Sequence, residues 1–171
     1  MRILPLFLFA AAAASATPSA ADPGAFTTGP VIEKYGAVAD VEVTAKLPAG
    51  ATLRHSFDVS KGAENGQVNR SLDSAARLIN MLARSDVPEE RVKVAVVVHG
   101  SAVHDVAGKD SASAGLVAAL VEHGVRFLVC GQSAAYYGVE TADLLPGVDM
   151  VLSAMTAHAL LQQSGFTLNP F

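Results

Sequence analysis

The chain has 171 residues, 51% of them hydrophobic, and its 12 Lys and Arg against 16 Asp and Glu give a formal net charge of −4 at pH 7. This length corresponds to one domain that buries a continuous core, so a second domain is not required. The acidic balance, without a cluster of Lys and Arg, argues against binding to nucleic acid or to an acidic membrane surface.

The amino-terminal segment, 1–21, has the pattern of an export signal. Arg2 supplies one positive charge, a short apolar stretch follows, and small residues offer cleavage near residue 16 or residue 21. The apolar stretch is too short for a comfortable membrane span. We therefore predict a periplasmic or secreted protein. The next segment, 22–50, is interpreted as an arm that adds an edge strand or contacts a neighbouring subunit.

The remaining segment, 51–171, alternates strand patterns with helix patterns. Strands are expected at Leu53–Val59, Val92–Val98, Val125–Val129 and Val148–Leu152. The continuous β-branched run in the second of these predicts the central strand, because such runs are covered on both faces. A helix follows each strand, the first capped by Asn69 or Ser71 and ended by Pro88, the last over Thr156–Ser164. This order predicts a mostly parallel sheet with helices on both faces.

Ligands of open parallel sheets bind outside the carboxyl ends of the strands, and the residues expected at that edge are polar. They are Asp58 and Ser60, then His99, Gly100 and Ser101, then Cys130, Gly131, Gln132 and Ser133, and finally Ser153 and Thr156. Solvent-exposed loops and helix caps explain Ser133, Ser153 and Thr156, but they do not require a histidine or a cysteine at this edge.

Cys130 is the only cysteine, and it lies where the third strand meets a short helix. The free N–H groups at a helix start favour the thiolate over the thiol. A single cysteine has no internal disulfide partner, so three hypotheses stay open. The thiol packs as a small hydrophobic group, pairs between chains, or reacts.

His99 directly follows the central strand on the same edge as Cys130, and neighbouring strands are about 5 Å apart. Its imidazole either lowers the pKa of the thiol and takes its proton, or hydrogen-bonds loop carbonyls in a structural role. Gly100 and Gly131 either allow close backbone approach or mark ordinary turns. His158, expected in the first turn of the last helix, has a side chain that can point into the same cleft.

Metal and cofactor motifs are missing from the sequence. The five histidines are scattered, no H-x-x-x-H pair occurs, and there is no second cysteine, so we predict no metal site. The sequence also has no G-x-G-x-x-G, Walker loop or G-x-S-x-G motif. We therefore predict no cofactor.

Four stretches of the sequence share one resemblance, namely Val97–Ala102, Val129–Val139, Asp143–Val148 and Leu161–Phe166. Together they resemble the DsrE/DsrF-like (YchN-like) family of sulfur-relay proteins. The resemblance extends from about Leu53 to the end of the chain, and the arm looks like that of exported members. It implies a flavodoxin-like, three-layer α/β/α domain over 51–171 that assembles into trimers or hexamers.

In the sulfur-relay branch, a cysteine at the position of Cys130 accepts sulfane sulfur as a persulfide and passes it to another protein or small thiol. The resemblance therefore implies a persulfide carrier or sulfurtransferase that uses Cys130. His99, because of its place on the same edge, is the expected proton partner. The residues expected to contact the substrate are Gly100, Gly131, Gln132, Ser133, Ser153 and His158. The alternative is a non-catalytic oligomeric module that binds a small ligand or a partner protein, in which Cys130 packs or senses redox state.

Overall fold

The structure is a computed structural model that describes residues 22–64 and 66–169. The predicted export signal, 1–21, lies outside the described residues. Within the described ranges, none of the helices has the length and hydrophobicity that a membrane crossing needs.

A fully parallel sheet of five strands forms the centre of the molecule. The strands are β1 (Leu53–Val59), β2 (Val92–Val98), β3 (Arg126–Cys130), β4 (Val148–Val151) and β5 (Thr167–Asn169). Their spatial order is β4-β3-β2-β1-β5, which confirms the prediction that Val92–Val98 is central. The fifth strand was not predicted, and it pairs with the edge of β1.

Helices cover both faces of the sheet, as the alternating pattern predicts. The helices are α1 (Arg70–Arg84), α2 (Ala114–Glu122), α3 (Gly131–Tyr137) and α4 (Ala154–Gln163). One face of β2 packs with α1 and α2 through Val94, Val96 and Val98. The other face packs with α4 through Ala95 and Val97, so the sheet lies between two helical layers.

The ends of α1 are set by local hydrogen bonds. The Oδ1 atom of Asn69 accepts from the backbone N–H groups of Ser71 and Leu72, at 2.9 and 3.3 Å, which confirms Asn69 as the cap. The helix ends at Arg84, so the prediction that it continues to Pro88 is wrong. The chain turns earlier because Asp86 adopts a left-handed conformation with φ of 58°, an arrangement that commonly closes helices.

The arm is fastened to α1 of its own chain by the buried side chain of Asn80. Its Oδ1 atom accepts from the backbone N–H groups of Val31 and Ile32, and its Nδ2 atom donates to the carbonyls of Ile32, Tyr35 and Gly36. Ile32 is fully buried in the core. No strand forms around Val41 and Val43, which are exposed, so the edge-strand prediction for the arm is wrong.

Candidate functional site

The carboxyl ends of β1, β2 and β3 are level with one another. Val59 pairs with Val98, and Val98 pairs with Val129, so the residues that follow β2 and end β3 lie side by side. His99 and Cys130 occupy these two positions. The helix α4 covers this edge from one face, and it contacts both the β3 end and the β1 end through different side chains.

Cys130 is the last residue of β3 and directly precedes α3. Its residue surface is 5% exposed, and it belongs to the apolar cluster beneath α4 that includes Val97, Leu128 and Ala154. The thiol therefore lies at the carboxyl-terminal edge of the sheet but is nearly buried.

Hydrogen-bond donors surround the sulfur in this enclosed position. Burial raises the pKa of the Cys130 thiol, but hydrogen bonds from the Ser133 hydroxyl and from the backbone N–H groups of Ser133, Ala154 and Gln132 outweigh burial. The net pKa of the thiol is lower than its ordinary value. The donors come from the first turns of α3 and α4, so two helix starts favour the thiolate together.

Ser133 connects the sulfur to the end of β2. Its Oγ atom accepts a hydrogen bond from the backbone N–H of Gly100 at 3.0 Å, which leaves the hydroxyl hydrogen for the sulfur. Gly100 has φ of 55°, and a Cβ atom there would lie 2.5 Å from the carbonyl oxygen of Ser60. Glycine is therefore required at this position by the backbone, and it aims the amide at Ser133.

A second polar group, which we call the histidine–aspartate cluster, consists of Asp58, His99 and His158. The Oδ1 atom of Asp58 lies 3.0 Å from Nε2 of His99 and 2.8 Å from Nε2 of His158. The Nδ1 atom of His158 lies 3.4 Å from Oγ of Ser56, which is fully buried. One carboxylate oxygen thus binds two imidazoles, that of His99, which follows β2, and that of His158 on α4.

His99 and Cys130 share the edge, but the imidazole and the thiol have different hydrogen-bond partners. Within residues 22–64 and 66–169, no hydrogen bond joins the imidazole to the sulfur, because His99 turns toward Asp58 on β1. The connection between them is indirect and runs through the Gly100 amide and the Ser133 hydroxyl. Ser133, rather than His99, is the side chain in contact with the thiol.

The other residues predicted at the site have local structural roles. A Cβ atom on Gly131 would lie 2.9 Å from the carbonyl oxygen of Val151, so close packing requires glycine. Ser153 caps α4 by accepting from the Thr156 amide at 3.1 Å. Gln132 is exposed. His158 is the fifth residue of α4 and thus lies in its second turn, one turn later than predicted.

The remaining histidines are not part of the histidine–aspartate cluster. His123 pairs with Glu89 at 2.9 Å, and His104 packs against the ring of Tyr137. Burial lowers the pKa of His55, whose Nε2 atom is buried without a hydrogen-bond partner in the part of the chain that the structure describes. In that same part, no group of three His, Cys, Asp or Glu side chains could hold a metal ion.

Asp58 is the functional candidate that sequence reasoning missed. The sequence placed it at the end of the first strand as one polar residue among several, and its partner His158 is 100 positions away. The sequence did contain a signal for Asp58, because side chains alternate between the two faces of β1. Phe57 and Val59 enter the core, and Asp58 faces the opposite side of the sheet.

The model of the DsrE/DsrF-like family matches residues 55–170 of this chain. Among solved structures, the chain is similar to a protein of unknown function, MTH1491 from Methanobacterium thermoautotrophicum, with 26% identity and a TM-score of 0.58 over 70% of this chain and 99% of that one. It also shares the fold of the YchN protein from E. coli, with 18% identity and a TM-score of 0.51 over 70% of this chain and 100% of that one. A search of curated proteins found no match.

Proposed function

The chain belongs to the DsrE/DsrF-like family, and we propose that it is an exported sulfur carrier in which Cys130 holds sulfane sulfur as a persulfide. One observation carries the proposal. Four hydrogen-bond donors, three amides and one hydroxyl, converge on the only cysteine and lower the pKa of its thiol despite burial. A cysteine that merely packs does not need a surrounding that stabilises its anion.

The chemistry of a persulfide carrier fits this surrounding. The Cys130 thiolate attacks the outer sulfur of a donor R–S–SH, the new sulfur–sulfur bond forms, and the donor leaves as R–S⁻ with the electron pair of the broken bond. The proton of the new persulfide passes to R–S⁻, which becomes R–SH. The terminal sulfur of the product is itself an anion near neutral pH. The Gln132 and Ser133 amides and the Ser133 hydroxyl, which lie at the thiolate, then stabilise the persulfide anion.

The enclosure of the thiol sets the kind of donor. Because Cys130 is 5% exposed, the outer sulfur of a donor has little accessible surface of Cys130 to reach. A small persulfide or polysulfide, or a persulfide on a protruding segment of a partner protein, fits this restriction. Transfer onward to a second protein or small thiol makes the activity sulfurtransferase-like.

Intact-mass analysis tests the proposal directly. Reduced protein is incubated with inorganic polysulfide, desalted and weighed beside Cys130→Ser. We expect the wild-type protein to gain the mass of one sulfur atom, the gain to be reversed by a reductant, and the variant to gain nothing. An unmodified wild-type protein, or an equal adduct on the variant, contradicts the proposal.

The near-complete burial of Cys130 favours a second candidate function, a non-catalytic binding module whose cysteine packs or senses oxidation. Alkylation separates the two candidates. A carrier reacts with iodoacetamide in its folded state, whereas a packing cysteine reacts only after unfolding. A redox sensor forms a covalent dimer on a non-reducing gel, and Cys130→Ser removes that dimer.

We also propose that the carrier works as a trimer or hexamer. Large apolar side chains stand exposed on α3, after β4 and on α4, namely Tyr136, Leu152, Met155 and Leu160, at 82%, 71%, 80% and 63% exposure. Such a group of exposed apolar residues is typical of a contact surface. Light scattering of wild-type protein and Met155→Lys tests this, with a fall in mass expected for the variant. An unchanged mass for the variant contradicts a contact through this surface.

The proposed location is outside the cytoplasm, periplasmic or secreted, on the basis of the sequence of 1–21. Amino-terminal sequencing of the protein recovered from the periplasmic fraction is expected to begin near residue 17 or residue 22. Recovery of the full-length chain from the cytoplasm contradicts export.

A further inference from the structure

We propose that Asp58 is a positioning residue that holds His99 so that its Nδ1 atom moves the proton during sulfur transfer to Cys130. This inference rests on the proposed function and extends it to the histidine–aspartate cluster.

The hydrogen bonds of Asp58 fix which nitrogen of His99 carries the proton. Its Oδ1 atom is 3.0 Å from Nε2 of His99, so a neutral His99 donates its Nε2–H to the carboxylate. The lone pair is then on Nδ1. Among the described residues Nδ1 has no hydrogen-bond partner, and 31% of the side chain is exposed. His99 therefore has one nitrogen held and the other open to solvent and substrate.

His158 differs from His99 in this respect, although both bind the same oxygen. Its Nε2 lies 2.8 Å from Asp58, its Nδ1 lies 3.4 Å from the buried Ser56 hydroxyl, and only 15% of the side chain is exposed. Both of its nitrogens have partners, so it holds Asp58 in place rather than exchanging protons. The same carboxylate thus connects a fixed imidazole to a free one.

The free imidazole is close to where the donor must bind. His99 and Cys130 follow the paired residues Val98 and Val129, and neighbouring strands are about 5 Å apart. Along α4, the Ala154 amide contacts the sulfur and His158, four residues later, contacts Asp58. The thiol and the cluster therefore form two adjacent parts of one edge.

The step needs a proton that the cluster is able to supply. The Cys130 thiolate attacks the outer sulfur of R–S–SH, the bond between sulfurs of the donor breaks, and R–S⁻ leaves with the electron pair. The Nδ1 atom of the neutral His99 takes the proton of the new Cys130–S–SH group and gives it to R–S⁻, which leaves as R–SH. The sum is Cys–S⁻ plus R–S–SH giving Cys–S–S⁻ plus R–SH.

Few charged groups surround His99. From β1 it faces Asp58, from α4 it faces His158 across the same oxygen, and from β3 its neighbour on the edge is Cys130. Within the described ranges, no other ionisable side chain makes a hydrogen bond or ion pair with it. The behaviour of His99 in transfer is therefore set by these three residues.

Donors with different leaving groups test the inference. Single-turnover uptake of sulfur is followed by intact mass with two small donors, an alkyl persulfide, whose thiolate leaves poorly, and an aryl persulfide, whose thiolate leaves well. Loss of an acid slows the poor leaving group most. We expect Asp58→Asn to slow the alkyl donor about tenfold or more and the aryl donor by less than about twofold. Glu89→Gln is the matched control, because Glu89 pairs with His123 away from this edge.

A double variant shows whether Asp58 acts through His99. Asp58→Asn combined with His99→Gln is expected to be no slower with the alkyl donor than His99→Gln alone. Equal slowing of both donors by Asp58→Asn, or additive losses in the double variant, overturns the inference while leaving the carrier intact. Wild-type protein that takes sulfur from neither donor overturns the proposed function as well. Should Asp58→Asn not fold, His158→Gln replaces it, with a smaller loss of the same alkyl-selective kind expected.

Discussion

Ser133→Ala removes the one side chain that hydrogen-bonds the thiol, and its effect on the pKa of Cys130 follows from the contacts. The amides of Gln132, Ser133 and Ala154 remain, so only the hydroxyl contribution is lost. A hydrogen bond to a charged group contributes about 1.5–3 kcal/mol, and 1.36 kcal/mol corresponds to about one pKa unit. We therefore expect the pKa of Cys130 to rise by about one to two units, which lowers the thiolate fraction about 10- to 100-fold at pH values well below the wild-type midpoint.

The assay is the rate of alkylation of folded protein by iodoacetamide as a function of pH, read by intact mass. The wild-type rate is expected to rise along a titration with a midpoint below the ordinary thiol value, and the Ser133→Ala midpoint is expected to be higher. Ser133→Thr retains a hydroxyl and is expected to retain most of the low midpoint.

Ser101→Ala is the matched control for this experiment. The Ser101 hydroxyl accepts from the Gly62 amide at 2.9 Å, as the Ser133 hydroxyl accepts from the Gly100 amide at 3.0 Å, but only Ser133 also contacts the thiol. Both variants are expected to lose about 1 kcal/mol of stability, and only Ser133→Ala to shift the titration. Equal midpoints in wild-type protein and Ser133→Ala refute the reasoning.

Three further predictions concern the fold. Asn80→Ala breaks five hydrogen bonds to the arm and is expected to lower the free energy of unfolding in urea by about 3 kcal/mol or more. An unchanged urea midpoint would show that Asn80 does not hold the arm. Gly100→Ala places a Cβ atom 2.5 Å from the Ser60 carbonyl oxygen and is expected to cost about 1–3 kcal/mol in calorimetry, whereas a neutral substitution argues against the strained turn. Burial lowers the pKa of His55 in the folded protein, so the unfolded chain binds more protons and the free energy of unfolding falls as the pH drops below about 6.5. His55→Leu is expected to flatten that fall. An unaltered slope of the free energy of unfolding against pH contradicts the assignment.

The pattern of the sequence predicted four of the five strands, because β2 and β3 are mostly apolar runs and β1 mixes apolar with polar residues in the way of a half-buried strand. Val92–Val98 matches β2 at both ends, and its place in the middle follows from a run that is apolar on both faces. The strand at Thr167–Asn169 has only three residues, two of them polar, and carries no such signal. It forms because β1 offers an unpaired edge at the point where the chain returns from α4.

The third strand differs from its prediction by one residue, and this difference matters for the site. The strand runs over Arg126–Cys130 rather than ending at Val129, so Cys130 pairs with Val151 and its side chain enters the cluster beneath α4. Local sequence does not distinguish a cysteine just inside a strand from one just outside it. The sequence therefore located the thiol but did not predict its enclosure.

The partners of the site residues depend on long-range contacts that a single sequence does not reveal. Asp58 and His99 are 41 positions apart, and Gly100 and Ser133 are 33 apart. Sequence reasoning predicted that the imidazole and the thiol share an edge, since both follow strands of a parallel sheet. It did not predict that Asp58 binds the imidazole or that Ser133 hydrogen-bonds the sulfur.

The proposed sulfur transfer depends on a fold that lowers the pKa of the Cys130 thiol, and an NMR titration of the ¹³Cβ signal of labelled cysteine tests this most directly. Because the chain has one cysteine, the signal needs no assignment. We expect one titration with a midpoint below the ordinary value of 9.0 for a thiol. A midpoint at or above that value contradicts the claim and removes the basis of the proposed sulfur transfer.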